Sequence, residues 1–246
     1  MDAIILAGGK GNRMEDVLPK PLVRVKDKVI LAYQLDYLLN SKKIEKIVLS
    51  LGYKAEEIID YVKINYPDYP IDFAVEKEPL GTAGAFKLAL LKTDSEFVLG
   101  LNCDDITNID LEKLQANNSS TICVAHPRLP FGLIKEKDGY ATFEEKPMLA
   151  DWVSCGWYLF KKRELVPILP DQGSLEYDVF PQLKLKLFKH EGFWRPLNTK
   201  KDLIEFEAEK LPEVLPRTRS AMRVGAGFRQ HRKLKMPQTP VGGVSQ

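Results

Sequence analysis

Between residues 2 and 103 the chain alternates short apolar runs with segments of helical period. No other feature restricts the fold as much. DAIILA at 2–7, KIVLSL at 46–51, IDFAVE at 71–76 and FVLGLNC at 97–103 are short apolar runs that read as buried strands. Between the first two, ILAYQLDYLL at 30–39 sets Leu31, Leu35, Leu38 and Leu39 on one helical face. AEEIIDYVKINY at 55–66 and TAGAFKLALLK at 82–92 read as two further helices, the latter with Thr82 as candidate N-cap. A β-α-β-α-β-α-β order calls for helical crossovers lying on a mostly parallel sheet. The predicted class is therefore α/β, a Rossmann-like arrangement of three layers.

After residue 103 the pattern changes. STICVAH, FGLIKE, YATFEE and WVSCGWYLF, all within residues 120–160, are β-rich with little helix between them, which predicts a mixed β extension of the sheet. A helical stretch near 175–186 and a last helix near 200–210 complete a domain over residues 1–211. Residues 212–246 carry proline, glycine and basic clusters without a sustained period and are expected to be a disordered tail. Seven of the 36 Lys and Arg lie after residue 216 and no acid does, so a body that is acidic by five charges carries a basic tail. Such a tail suits a nucleic acid or a membrane surface, but a solvated appendage is the preferred reading and no nucleic acid is expected.

With 44% hydrophobic residues in 246, the chain can bury a sizeable core. Its three cysteines, Cys103, Cys123 and Cys155, are widely spaced and form no CxxC pair, which argues against a disulfide framework or zinc site. A reduced, cytoplasmic setting fits them. No apolar stretch approaches the length of a membrane span, and the first residues lack a signal-peptide design.

The chemistry begins where the first strand ends. Gly8, Gly9 and Gly11 follow IILA, and ligands of parallel α/β sheets sit at the carboxyl ends of strands. Glycines there let backbone N–H groups approach a phosphate, and Arg13 and Lys20 can add charge to the same phosphates. Pro19 and Pro21 restrict the backbone around Lys20. The stretch matches neither the P-loop pattern nor GxGxxG.

Taken together, LAGGKGNRM and PKPL resemble the signature of sugar-1-phosphate nucleotidyltransferases. EKEPLGTAGA at 76–85, NCDD at 102–105, FEEKP at 143–147, SCGWYLF at 154–160, SLEYDVFPQL at 174–183 and HEGFWRPLNTKKDL at 190–203 resemble further motifs of that family, in family order. The resemblance covers about 200 residues and implies the nucleotidyltransferase fold. It implies transfer of a nucleotidyl group from a nucleoside triphosphate to a sugar 1-phosphate, with Mg²⁺ as cofactor. It also implies that Leu6, Ala7, Gly8, Gly9, Gly11, Glu78 and Gly81 hold the nucleotide, with Gly81 letting the base approach. Arg13, Lys20 and Asp104 would act on the phosphates, with Asp104 and Asn198 as metal ligands. Glu145, Lys146 and Gly156 would hold the sugar phosphate. Read without the resemblance, Glu78 and the Glu145–Lys146 pair have surface charge as their alternative reading, and Tyr158 and Trp194 core packing. Asp105, next to Asp104, is expected from strand alternation to point elsewhere.

Four departures from the family pattern stand out. Only six residues separate Arg13 from Lys20, a shorter loop than usual in the sugar enzymes. Asn12 replaces a threonine, Cys103 a glycine, and WRPLNT places Pro196 where a second metal-binding aspartate is expected. Asn198 or, as another candidate, Asp202 would then complete the metal site. The base stays open between guanine and cytosine, and a homo-oligomer is compatible with the resemblance. Two alternatives remain: a catalytically weak nucleotide-binding regulatory subunit, and a nucleotidyltransferase for a non-sugar phosphate.

Overall fold

The computed structural model describes residues 1–10 and 18–212. Gly11 and Arg13, and the predicted tail beyond residue 212, lie outside the described residues. The chain begins with β1 (Asp2–Leu6), a small hairpin of β2 (Arg24–Val25) and β3 (Lys28–Val29), and α1 (Ile30–Leu39). β4 (Lys46–Leu51), α2 (Ala55–Asn65), β5 (Ile71–Val75), α3 (Gly81–Leu90) and β6 (Phe97–Asn102) follow. The second half holds β7 (Asp105–Thr107), α4 (Leu111–Ala116), β8 (Thr121–Ala125), β9 (Leu133–Lys137), β10 (Tyr140–Glu144) and β11 (Val153–Lys161). It ends with α5 (Lys162–Leu165), β12 (Lys186–Lys189), β13 (Trp194–Pro196) and α6 (Lys200–Ala208).

Seven strands form one sheet in the order β12-β8-β11-β6-β1-β4-β5. β1 pairs in parallel with both β4 and β6, and β4 with β5, as the alternating pattern predicts. β11 runs antiparallel between β6 and β8, which makes the sheet mixed. Strand order reverses at β1, so β1 and β6 frame a switch point of the kind where α/β sheets bind ligands.

The central strands of the sheet are buried on both faces. Ala3 and Ile5 of β1 pack on one side with Leu31, Leu35 and Leu38 of α1, while Ile4 packs on the other with Phe86 of α3. That is the period-2 alternation of a central strand covered twice, and it gives the three layers. α1 also buries two polar groups. Gln34 Nε2 donates to the carbonyls of Cys103 (3.3 Å) and Asp105 (2.8 Å), tying the helix to the turn after β6. Asp36 accepts from Lys28 Nζ (2.8 Å) and Tyr66 Oη (3.0 Å), so its buried charge is paired and hydrogen-bonded.

Two local expectations are corrected. Thr82 does not cap α3. The helix starts at Gly81, and Thr82 Oγ1 instead accepts from Leu175 N–H (2.8 Å). The predicted helix at 175–186 is one wide turn over Leu175–Val179 and a tighter one over Phe180–Gln182, followed by β12. Ser174 caps the start of that segment, and Pro181 supplies no N–H to continue it. β9 and β10 form a ribbon of their own outside the seven-stranded sheet. No helix among the described residues is long and apolar enough to cross a membrane.

Candidate active site

A cleft of about 1170 Å³ opens over the carboxyl ends of β1, β4, β5 and β6. Such a position follows from the parallel sheet. Each strand ends there in a loop, and the switch point at β1 leaves a gap between loops that diverge to opposite faces. Leu6, Gly8 and Gly9 line the cleft together with Lys10. Ala7 does not line it. Its side chain is buried, and its N–H donates to the carbonyl of Ser50 (2.9 Å), extending the β1–β4 ladder by one residue. Gly8 returns the same support, accepting from Tyr53 N–H (3.0 Å).

Lys20 and Asp104 meet although 84 residues separate them. Lys20 opens a tight turn over Lys20–Leu22 between Pro19 and Pro21, and its Nζ forms an ion pair with Asp104 Oδ2. Both side chains are largely shielded, at 16% and 23% exposure. Asp104 lines the cleft, and among the described residues its one side-chain partner is Lys20. The carbonyl of Asp104 accepts from Leu197 N–H (2.9 Å), so the WRPLNT segment is fastened onto NCDD.

Asp105 contradicts the alternation argument. Cys103 and Asp104 form a turn between β6 and β7, which resets the side-chain phase, and Asp105 lines the same cleft. Its Oδ1 accepts from Trp194 Nε1 (2.9 Å) and its Oδ2 from Asn102 Nδ2 (3.1 Å). Burial, with a further contribution from the neighbouring Asp104 charge, raises its pKa to about 7. Gly156 has φ +73°, and a Cβ there would lie 2.0 Å from Asp105 Oδ2. The room expected for a sugar at Gly156 is thus partly taken by Asp105. Gly81 has a similar explanation. It lines the cleft, but its φ of +71° and the Gly173 carbonyl, 2.3 Å from where a Cβ would sit, already require glycine there.

Of the remaining expected residues, Glu78 and Asn198 line the cleft and are exposed. Tyr158 and Trp194 also line it, Tyr158 buried and accepting from Ser154 Oγ (3.3 Å). Glu145 and Lys146 are not among the lining residues. Lys146 Nζ is bound to Glu205 Oε1 of α6 (2.9 Å), which also accepts from Arg195 through Oε2 (2.8 Å). Asp202 is committed elsewhere as well. It forms a capping box with Thr199, and its Oδ2 accepts from the N–H groups of Asn198 and Thr199. Glu76 was not anticipated. It follows β5 directly, lines the cleft, and accepts from Leu80 N–H through Oε2 (3.1 Å). The rule that strand ends line the cleft would have found it.

Among the described residues no group of three or more His, Cys, Asp or Glu gathers as a metal cage. Of the two expected ligands, Asp104 brings a carboxylate to the cleft and Asn198 a neutral amide. That sparse set suits Mg²⁺, which takes one or two protein oxygens and completes its shell with substrate phosphate and water.

Fold and cleft together define an α/β protein whose candidate site lies at the switch point of its sheet. The chain belongs to the nucleotidyl transferase family, whose model matches residues 2–208, and within it to the sugar-1-phosphate nucleotidyltransferases. It is 32% identical over 198 residues to the D-glycero-α-D-manno-heptose 1-phosphate guanylyltransferase of Campylobacter jejuni, covering 77% of this chain and 88% of that protein. It is 32% identical over 230 residues to the mannose-1-phosphate guanyltransferase of Gibberella zeae, covering 83% of this chain but only 62% of that relative's length. The crystal structure of HddC from Yersinia pseudotuberculosis complexed with GMP-PN matches with a TM-score of 0.68 and 27% identity, over 84% of this chain and 98% of that one. A putative glucose-1-phosphate thymidylyltransferase from Bacillus anthracis, at 17% identity and a TM-score of 0.66, shares the fold.

Proposed function

We propose that this chain is a Mg²⁺-dependent guanylyltransferase that joins GTP to a sugar 1-phosphate of the mannose or manno-heptose type, releasing pyrophosphate. The observation that carries this reading is Asp104, which lines the cleft with Gly8 and Gly9 and is ion-paired to Lys20. The second pKa of a phosphate monoester is about 6, so the attacking oxygen is largely dianionic at neutral pH and needs no general base. It forms a bond to the α-phosphorus while the α–β bridging bond breaks, and that electron pair leaves with pyrophosphate. What the protein must supply is alignment of two anions and compensation of charge. Lys20, held beside the cleft by its ion pair with Asp104, would bind phosphate oxygens of both substrates. Asp104, with the Asn198 amide, would hold Mg²⁺, which when bound offsets charge on the α-phosphate.

Glu76 favours guanine. Guanine offers N1–H and an exocyclic amine side by side, two donors for a carboxylate, whereas cytosine sets an acceptor nitrogen beside its amine. The guanylyltransferase relatives point the same way. A panel of the four nucleoside triphosphates against mannose, manno-heptose and glucose 1-phosphates, read by pyrophosphate release, tests the proposal. GTP with a manno-configured sugar should be fastest. Glu76→Gln should lower kcat/KM for GTP by about 10- to 100-fold, the worth of a hydrogen bond to a charged group. A folded, nucleotide-binding chain that releases no pyrophosphate with any pair would defeat the enzyme reading. It would favour a regulatory subunit, for which Pro196 at the cleft wall is the supporting observation.

A further inference from the structure

The ribbon of β9 and β10 stands outside the sheet, and among the described residues both of its edges are open. It is attached at its base by the Leu129 N–H to Pro147 carbonyl bond and the Leu149 N–H to Pro127 carbonyl bond, both 2.9 Å. Ile134 and Phe143 sit directly opposite one another on one face, 58% and 66% exposed. Phe131 and Met148, at the base, are 72% and 56% exposed. A lone two-stranded hairpin is marginally stable in water, and monomeric proteins rarely leave large apolar side chains clustered in solvent.

We propose that this ribbon is a homodimer interface. β10 pairs antiparallel with β10 of a second copy, about a twofold axis at Thr142, giving one four-stranded sheet across two protomers.

Strand register decides which edge pairs. Asp138 and Gly139, with φ of +53° and +79°, make the two-residue turn of a tight hairpin. In such a hairpin Tyr140 and Lys137 exchange hydrogen bonds, and the bonding alternates from there. Tyr140, Thr142 and Glu144 therefore bond inward to β9, while the N–H and C=O groups of Ala141 and Phe143 face the open side. Antiparallel pairing about Thr142 sets Ala141 opposite Phe143 of the second copy, the two residues whose backbone groups are available. It also sets threonine against threonine and Tyr140 against Glu144, with no like charges opposed. The same operation on β9 would be centred on Lys135 and set lysine against lysine.

Charge selects the occupant. Residues 128–148 contain four Lys or Arg and four Asp or Glu, so the ribbon has no net charge to attract a polyanion or an acidic membrane. A neutral strip with exposed apolar side chains and an open edge is complementary to itself, and a twofold axis closes the pair without leaving an edge for a third copy on β10.

Sedimentation velocity of the full chain at tens of micromolar tests this. The wild type should sediment as a dimer. Ala141→Pro removes an outward N–H that the β9–β10 pair does not use, and proline is tolerated at such edge positions. Phe143→Lys places a charge in the apolar face without touching the core. Each should give a monomer with an unchanged circular dichroism spectrum. A wild-type chain that stays monomeric at these concentrations overturns the proposal. If deleting residues 213–246 then produces the dimer, the tail is the occupant in place of a second copy. A dimer that survives both substitutions also overturns it, by placing the interface elsewhere.

Discussion

The loops over the parallel strands and the β9–β10 ribbon use the same residue types to opposite effect. At the cleft, Lys20 and Asp104 pair with less than a quarter of either side chain exposed. On the ribbon, Lys135 and Glu144 lie 3.9 Å apart with 67% and 59% exposed. Coulomb attraction at a given distance grows as the dielectric falls, and an exposed pair is worth little. The difference comes from the strands beneath. Asp104 follows a central strand held on both sides, by β1 and β11, and it is further fixed by Gln34 and Leu197 bonding to the turn that carries it. Among the described residues β10 has a neighbouring strand on one side only. A charge is preorganised where the scaffold under it has few alternatives.

Substitutions can break this contrast. The largest effect is expected in the shared core. Phe86 is fully buried and meets Phe160 edge to face at 5.4 Å, so Phe86→Ala should cost about 3–5 kcal/mol in urea unfolding. Phe143→Ala, measured at a dilution that keeps the chain monomeric, should change stability by no more than about 0.5 kcal/mol. Equal losses would mean that the ribbon belongs to the core. Next, Asp104→Ala should slow turnover by roughly 10²–10³-fold, as when a transition-state electrostatic partner is lost. Lys135→Ala should leave turnover almost unchanged. Near-wild-type turnover of Asp104→Ala at saturating Mg²⁺ would remove the proposed role of the pair. Smaller again, Gly81→Ala forces a side chain into the left-handed region against the Gly173 carbonyl and should destabilise by about 1–3 kcal/mol. If it instead altered only the KM for the nucleotide, base approach would be its main reason for being glycine.

The parallel half was legible in the sequence because each buried strand is a continuous apolar run and each helix has its own period. Gly8, Gly9 and Asp104 follow strand ends and line the cleft, where the rule that strand ends carry the ligand would put them. What was not legible depends on contacts between distant segments. The phase of Asp105 depends on a turn at Cys103 and Asp104 that neither propensity nor alternation announces. Thr82 reads as a helix cap until Leu175 arrives from 93 residues away to use its hydroxyl. Lys146 lies in a recognisable motif, yet its partner, Glu205, is on a helix whose docking position no local pattern encodes.

That last contact yields the smallest effect and tests how the ribbon's base is held to the body. Glu205 accepts from Lys146 and from Arg195, and these two cations lower its pKa from the ordinary 4.5 to about 2. A carboxylate whose pKa is lower in the folded state stabilises the fold above its unfolded value. That contribution is lost as pH falls from about 4.5 through about 2. Because a third of the side chain is exposed, solvent screening limits the effect to under about 1 kcal/mol. The stability difference between wild type and Glu205→Gln, followed by urea unfolding, should therefore be largest near neutrality and shrink below pH ~4.5. Lys146→Met should diminish the same pH-dependent difference, since Lys146 makes the larger contribution to the shift. A difference that stays flat from neutrality into acid would show that α6 does not hold the ribbon's base through this pair. The ribbon would then depend on its two backbone hydrogen bonds and on what covers its apolar face.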